Sequence, residues 1–532
     1  MTTASVTAST RRDPWSGNGN LHAEIHETHT GLVALIGERA FKTKKAIVTD
    51  FLDFSTRDRR EQACQREVAL NRRLAPDSYL GVGHFAAPGE PAEPVIVMRR
   101  YPESARLAAL VRSGDPVDGH LTAIADRLAR FHRTAQRGPS IDEQATAAAI
   151  SERWHENLNE LKRYVDKVIP EATLREVTLL ADRYLAGREQ LFVQRIASGR
   201  VVDGHGDLLT QDIFCMPDGP VLLDCLEFDD RLRYVDGVDD AAFLAMDLEF
   251  LGRKDLADRF LDEYLRRADD PAPRSLRDFS VAYRAVVRAK VDCIRVDQGD
   301  ADAATDATRH LDIALAHLKS CTVRLVVVGG GPGTGKTTVA HGLAERVNAR
   351  VISTDEVRRE LQRSGAIAGR VGELDVGLYA PENVSAVYDE VLRRARALLS
   401  AGETVVLDGT WRDAQQQERA YRLAAETCSA VVHFVCSLSP SQAAERVVAR
   451  GPSSSDATPQ IAVALGENAG TGRVHRIDTA RPLADSVNEA SRVVRRAVGK
   501  VSRTALDVTT PTGPRSLYGS SATRNIGLDG WW

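Results

Sequence analysis

Hydrophobic positions are organised in two ways along this chain, and the change falls near residue 320. In the first part, GLVALIG (31–37) and ERAFKTKKAI (38–47) alternate apolar with polar residues around Gly37-Glu38-Arg39, which predicts a β-hairpin. DRREQACQREVALNRRLAP then sets Ala63, Cys64, Val68, Leu70 and Leu74 at helical spacing, with Pro76 as its stop. PVIVMRRY (94–101) returns to a strand pattern. From about 118 to 199 amphipathic helices dominate, as in LTAIADRLARFHRTAQ and ERWHENLNELKRYVDKVI. Strand-like pieces at 212–216 and 221–223 flank the turn Pro217-Asp218-Gly219, and more helices run to about 319.

Beyond about 322 the pattern changes. VRLVVVGG is a continuous apolar strand, KTTVAHGLAERV is a helix, and RVIST, TVVLDGT and AVVHFVCS are further strands separated by helical stretches. Such alternation predicts a parallel sheet covered on both faces. The expected fold class is therefore mixed, α+β followed by α/β, with domains at 22–319 and 320–497. The tails 1–21 and 498–532 carry no sustained period and are expected to be disordered. No fixed-period repeat is present, which argues against a solenoid or propeller.

Composition narrows the function classes. With 532 residues, 43% hydrophobic and 27% charged, the chain reads as an ordinary globular protein of several domains. A formal charge of -4 provides no basic field for gripping nucleic acid. The seven cysteines (64, 215, 225, 293, 321, 428, 436) are scattered and include no CxxC pair, so neither a disulfide framework nor a zinc site is signalled. No apolar run approaches the roughly 18 residues that span a bilayer, and the first twenty residues lack the apolar core of a secretory signal. No membrane partner and a cytoplasmic location are expected.

Candidate chemistry appears first in the second part. GGPGTGKT, from Gly330 to Thr337, fills the pattern GxxxxGK followed by Ser or Thr, and it lies between a predicted strand and a predicted helix. Gly330, Gly331, Pro332, Gly333, Thr334 and Gly335 would curl the backbone so that its N–H groups surround phosphates, with Thr338 beginning the helix. Lys336 supplies positive charge to the outer phosphates, and Thr337 and Asp408, the latter ending TVVLDGT, are candidate Mg2+ groups. Asp355 and Arg358 share the first turn of a helix, where the carboxylate could take a hydroxyl proton and the guanidinium could hold an anionic group. Ser353 and Glu356 have capping-box spacing. Arg446 and Arg450 precede a Ser/Pro/Gly-rich loop with the look of a lid. Residues 322–495 resemble the gluconate-kinase-like, zeta-toxin-like and polynucleotide-kinase-like branch of P-loop proteins. That resemblance implies ATP and Mg2+, and its polynucleotide-kinase members keep a nucleic-acid 5'-hydroxyl among the candidate acceptors.

A second phosphate-handling set lies earlier. Phosphoryl transfer of the kinase type needs a carboxylate beside the acceptor hydroxyl and further oxygen ligands for Mg2+. VVDGHGDLLTQDIF offers Asp207 and Asp212, and VLLDCLEFDD offers Asp224 after three apolar residues. A strand lysine for the ATP phosphates is supplied by Lys42 or Lys44, which lie on one strand face, and its helix glutamate by Glu67. From about 22 to 300 the chain resembles the aminoglycoside phosphotransferase group of the protein-kinase-like superfamily, HGDLLTQDIF being similar to its HGDxxxxN loop and LLDCLEF to its DFG-equivalent segment. The resemblance implies Asp207 as catalytic base and Asp224 as the main metal ligand, with Asp212 standing where the group usually has Asn. An acidic floor at Asp229, Asp230, Asp236, Asp239 and Asp240 would suit a cationic or polyhydroxylated acceptor, or would simply be a solvated helix start.

The whole arrangement resembles bacterial bifunctional proteins that join an aminoglycoside phosphotransferase-like domain to a P-loop ATP-binding domain. The expectation is an ATP-dependent kinase with two nucleotide sites acting on small-molecule hydroxyls. A polynucleotide-end kinase in the C-terminal half, and an ATP-gated stress regulator in which one half lacks turnover, are the alternatives.

Overall fold

The computed structural model describes residues 23–27, 31–48, 53–86, 89, 91–369, 376–449 and 474–498. Both expected tails lie outside these residues, apart from position 498. Contacts group the chain into two units, one made of 1–115 with 211–229 and the other of 116–210 with 230–531.

The smaller unit is built on a five-stranded antiparallel sheet in the order Glu24–Glu27, Gly31–Ile36, Arg39–Lys44, Glu93–Arg99, Tyr79–Phe85. The expected hairpin is present, with Gly37 taking the positive φ (56°) its tight turn needs. Alternation sends Ala40, Lys42 and Lys44 to one face. That face receives the helix Arg57–Asn71, so Ala40, Ile96 and Met98 pack on Cys64 and Val68. Thr56 starts the helix as N-cap, its hydroxyl accepting from the Arg59 amide. Near its end, Asn71 accepts from the Cys225 amide at 2.8 Å, which ties the helix to the segment carrying Asp224. The hairpin Ile213–Met216 with Gly219–Leu222 completes the unit. Two strands have no alternating apolar signature: Glu24–Glu27 is an exposed edge strand, and Tyr79–Phe85 is interrupted by two glycines.

The larger unit begins with a helical lobe. Its long members include Asp118–Thr134, Ala147–Leu161, Glu171–Gly187, Gly237–Phe250, Arg274–Asp297 and Ala303–Ser320. Then comes a parallel sheet in the order Arg350–Ser353, Val405–Asp408, Arg324–Gly329, Ala430–Ser437, His475–Asp478. The continuous apolar run of Arg324–Gly329 is explained by burial on both faces. Leu325, Val327 and Leu407 pack under Val387, Val391 and Leu399, whereas Val326, Val328 and Val406 pack under Val339, Leu343 and Val494. The fold class is the mixed one expected: an antiparallel sheet with a helical lobe in the first part, and a parallel sheet covered on both faces behind a glycine-rich turn in the second.

Packing is continuous across the sequence boundary near 320. Arg188, 1% exposed, donates from Nη1 to the carbonyls of Leu399 (2.7 Å) and Thr427 (3.1 Å), and Ser275 donates from Oγ to the carbonyl of Gly402 (2.7 Å). At Gly187 even a methyl group would collide with the Thr427 carbonyl oxygen. The helical lobe and the parallel sheet thus share one core-like joint. Among the described residues no helix is long and apolar enough to cross a membrane.

Candidate functional site

In the parallel sheet, the strand Arg324–Gly329 feeds the glycine-rich turn, and the helix Lys336–Val347 leaves it. Gly333 adopts φ 79°, and a Cβ there would run into the Ala443 carbonyl oxygen, so only glycine fits. Gly331 closes the turn by accepting from the Thr334 hydroxyl at 2.8 Å. Thr337 donates from Oγ1 to Asp408 Oδ2 at 2.9 Å, bringing together two residues 71 positions apart. Asp408 lies at the end of its strand, beside Val328 and Ser353 in the sheet register. Burial pushes its carboxyl up, opposed by the Lys336 charge and the Thr337 hydroxyl. Its Oδ1 is buried with no hydrogen-bond partner. Lys336 makes no ion pair among the described residues. A pocket of about 350 Å3 opens beside Gly335, Lys336, Thr337, Thr338 and Arg446. Arg446 donates to the Thr479 carbonyl at 2.9 Å, and Thr479 donates in turn to the Thr334 carbonyl at 2.8 Å. Arg450 and most of the expected lid loop lie outside the described residues. The pocket wall formed by Thr479, Arg481 and Ser486 is absent from the sequence reading, because it follows a short strand, His475–Asp478, with only one buried side chain.

Across the sheet edge, Arg358 donates from Nη1 to Asp355 Oδ1 at 2.6 Å and stacks over the Tyr379 ring at 4.6 Å, so the expected pair forms on the helix Thr354–Arg363. The capping box does not form: Ser353 is still a strand residue in register with Asp408 and makes no side-chain cap bond. Trp411, three residues beyond Asp408, is 2% exposed, packs edge-on to Tyr388 (ring centroids 4.9 Å apart) and was not singled out in the sequence. Its only signal is an aromatic residue just past a strand end.

In the smaller unit, Lys42 Nζ lies 2.8 Å from Glu67 Oε1 and 2.7 Å from Asp224 Oδ1, while Lys44 Nζ lies 2.6 Å from Glu67 Oε2 and 2.5 Å from Glu227 Oε1. Glu67 is fully buried and serves both lysines. Burial alone would push Lys42 down, but the carboxylates of Asp224, Glu67 and Glu227 outweigh it and hold the ammonium well above its ordinary value. Lys44 is likewise raised, its burial overcome by Glu67 and Glu227. Glu227, missed by the sequence reading although it lies in the same LLDCLEF segment, is raised by burial and by Glu67. Asp224 sits at φ 62°, and its amide donates to the Tyr79 hydroxyl at 3.2 Å. The Asp212 carbonyl accepts from the Leu223 amide at 3.0 Å.

In the helical lobe, the HGD turn is held from below. The amides of His205 and Gly206 donate to Asp240 Oδ2 (2.7 Å) and Oδ1 (2.8 Å), and His132 Nε2 lies 2.8 Å from Asp240 Oδ2. Burial would raise Asp240, yet its bonds with His132 and the charge of His205 hold it below the usual carboxylate range. The Asp207 amide donates to His205 Nδ1 at 3.3 Å, so the buried histidine orients the candidate base. Four of the five carboxylates of the acidic stretch are paired internally, so they form neither an open acidic floor nor a simply solvated helix start. Asp230 pairs with Arg233 (2.5 Å), Asp236 with Arg195 (2.7 Å), Asp239 with Arg284 (2.8 Å) and Asp240 with His132.

A family model described as "AAA domain" matches residues 325–465. The chain is 56% identical over 477 residues to the uncharacterized protein Rv2004c of Mycobacterium tuberculosis, covering 89% of this chain and 96% of that protein, and the uncharacterized protein Mb2027c of Mycobacterium bovis matches with the same figures. Among solved structures it is similar to a putative kinase from Chloroflexus aurantiacus (20% identity, 33% of this chain and 98% of that one, TM-score 0.28). It is also similar to the GDP complex of aminoglycoside 2'-phosphotransferase-IIIa (14% identity, 56% and 94%, TM-score 0.36).

Proposed function

This chain belongs to the family of those mycobacterial proteins, and we propose that it is an ATP-dependent phosphotransferase with two nucleotide sites, moving the γ-phosphoryl group to hydroxyl groups of small molecules. The observation that carries the reading is the placing of Lys336 and Thr337 at one open pocket, with Asp408 bonded to the Thr337 hydroxyl behind it and the Asp355–Arg358 pair on the adjacent strand's helix. Lys336 and the turn amides would receive the phosphates, and Arg446 would contribute charge as transfer begins. Asp355 would accept the acceptor's proton. The acceptor oxygen bonds to the γ-phosphorus as the bond to the β–γ bridging oxygen breaks, and ADP leaves.

Among the described residues no group of three or more His, Cys, Asp or Glu side chains could hold a metal ion unaided. Mg2+ asks for less, since it binds through one or two protein oxygens together with nucleotide phosphates. Asp408, with an orphaned buried oxygen, and Thr337 fit that requirement. The ion would neutralise charge on the transferring group.

For the first part the roles follow the resemblance: Asp207 as base, Asp212 and Asp224 as metal ligands. Lys42, rather than Lys44, is the better ATP lysine, because it shares contacts with Glu67 and Asp224 and is 15% exposed, against 1% for Lys44. The internal pairing of Asp230, Asp236, Asp239 and Asp240 argues against a polycationic acceptor. Seven cysteines without a disulfide support a cytoplasmic location.

The test is transfer of labelled γ-phosphate from ATP to a pooled cytoplasmic metabolite extract by wild type, Asp207→Asn and Lys336→Ala. Two product sets, each lost in a different variant, are expected. Loss of every product in Lys336→Ala and of none in Asp207→Asn would make the first part a regulatory module. The direct Lys42–Asp224 ion pair is the observation that favours that second reading.

A further inference from the structure

The helical lobe contains a cavity of about 40 Å3 that the phosphoryl chemistry proposed above does not use. Room for roughly three water molecules is more than a close-packed interior usually leaves empty. Aromatic rings from three helices wall it: Trp154 on Ala147–Leu161, Phe192 on Glu189–Ala197, and Phe279 and Tyr283 on Arg274–Asp297. The Trp154 ring is tilted against Phe279 and Tyr283, with centroids 5.2 Å and 5.4 Å away. Ile150, Arg153, Asp236 and Asp239 also border the cavity and are partly exposed, which gives it a mouth.

The polar groups around this space are of two kinds. The charged ones are already matched. Asp236 accepts from Arg195 Nε and Nη2 at 2.7 Å each, and Arg195 also donates to Asp270. Asp239 accepts from Arg284 Nε at 3.1 Å and Nη2 at 2.8 Å. Burial pushes the Asp239 carboxyl up against the opposing charges of Arg284 and Arg153, so the Arg153 charge is spent in part on Asp239. The neutral groups are not matched. Trp154 is fully buried, and its indole Nε1 has no hydrogen-bond partner. The hydroxyls of Ser280 and Tyr283, on residues 3% and 8% exposed, make no hydrogen bond among the described residues. Buried polar groups are nearly always satisfied, so three unspent ones around one open space point to something that fills it. An ion would bring an unpaired charge into a site whose own charges are matched, which is costly.

We propose that this cavity is a binding site for a small uncharged molecule with an apolar body and a carbonyl-type oxygen, the body lying on the aromatic walls and the oxygen accepting from the Trp154 indole N–H. Neither candidate phosphate site contributes a residue to the cavity, so the binding site stands whether or not either half transfers phosphate. It is nonetheless placed to act on one of them. Arg284, which holds Asp239 at the cavity wall, also donates to the carbonyl of Gly206, the residue before Asp207, at 3.3 Å.

Propionamide, propionate and propionamidinium have one shape and three different charges, and they serve as probes of the full chain. The readout is the indole N–H NMR signal of Trp154, one of five tryptophans in the protein. It is the signal that Trp154→Phe removes or, should that variant not fold, the one left once phenylalanine variants of the other tryptophans are assigned. Propionamide is expected to move it downfield and saturably, with the millimolar affinity usual for so few atoms, and both charged probes are expected to bind at least about tenfold more weakly. Ser280→Val, which puts methyl groups into the cavity, should keep the signal and abolish the response. A signal that no probe moves would mean a cavity holding water alone and would overturn the proposal. A charged probe binding as well as propionamide, or an unchanged response in Ser280→Val, would overturn it too.

Discussion

The two candidate phosphate sites treat their lysines in opposite ways. In the smaller unit Lys42 and Lys44 are bound within 2.8 Å by Glu67, Asp224 and Glu227, so the protein supplies its own counter-charge. In the parallel-sheet half Lys336 faces a pocket of about 350 Å3 without an ion pair among the described residues. The first arrangement makes the lysines part of the fold as well as of any chemistry. The second leaves charge available for a ligand and asks little of the fold.

The largest expected effect sharpens that contrast. Lys336→Ala should cut transfer by the C-terminal half by about a thousandfold, as loss of a main electrostatic group does, while chemical denaturation shows stability nearly unchanged. Lys44→Met should do the reverse. It leaves the fully buried Glu67 short of one partner, and breaking a buried pair costs about 3–5 kcal/mol, readable as a fall in the denaturation midpoint. If Lys44→Met proved as stable as wild type, the contrast between a structural and a ligand-directed lysine would collapse.

Titration separates the helical lobe from the sheet. His317 in the lobe is raised to about 9: burial would lower it, but bonds to Asp278 and Glu249 prevail. A folded pKa above the unfolded value of about 6.5 gives stability that is complete below pH ~6.5 and lost as pH rises through about 9, worth roughly 3 kcal/mol at most. His433 in the sheet is lowered to about 4 by burial, so the unfolded chain binds the extra proton and stability falls as pH drops from ~6.5 to about 4. Denaturation midpoints for His317→Gln and His433→Gln, followed across pH, should therefore flatten opposite limbs of the profile. The smallest effect is Ser275→Ala, which removes one buried bond to the Gly402 carbonyl and should cost about 1 kcal/mol.

Much of this was legible in the sequence where local pattern and chemistry coincide. The hairpin at 31–44, the parallel alternation after 322 and the Gly330–Thr337 turn are all read from spacing over a few residues. That Lys42 and Lys44 share a face followed from strand alternation, and Glu67 was expected to partner one of them, whereas it serves both. What escaped depends on long-range packing. Glu24–Glu27 and His475–Asp478 have almost no buried side chains to betray them, and the arginines that pair with Asp236 and Asp239 come from separate helices, at 195 and 284. Trp411 escaped because its burial edge-on to Tyr388 is a long-range contact, which no spacing rule reports.

The buried guanidinium of Arg188 makes this chain indivisible in the practical sense. A scissor cut after residue 320, the natural place to clone two separate proteins, would strip a donor from the ends of the helices Pro381–Ser400 and Ala414–Glu426 and uncover the glycine-sized seam at Gly187. Either fragment would carry a raw face rich in apolar atoms and unanswered carbonyls, the kind of surface that drives recombinant protein into inclusion bodies. Covalent continuity of the two halves is in this sense a solubility requirement, which gives selection a reason to keep them in one reading frame whatever chemistry either of them carries.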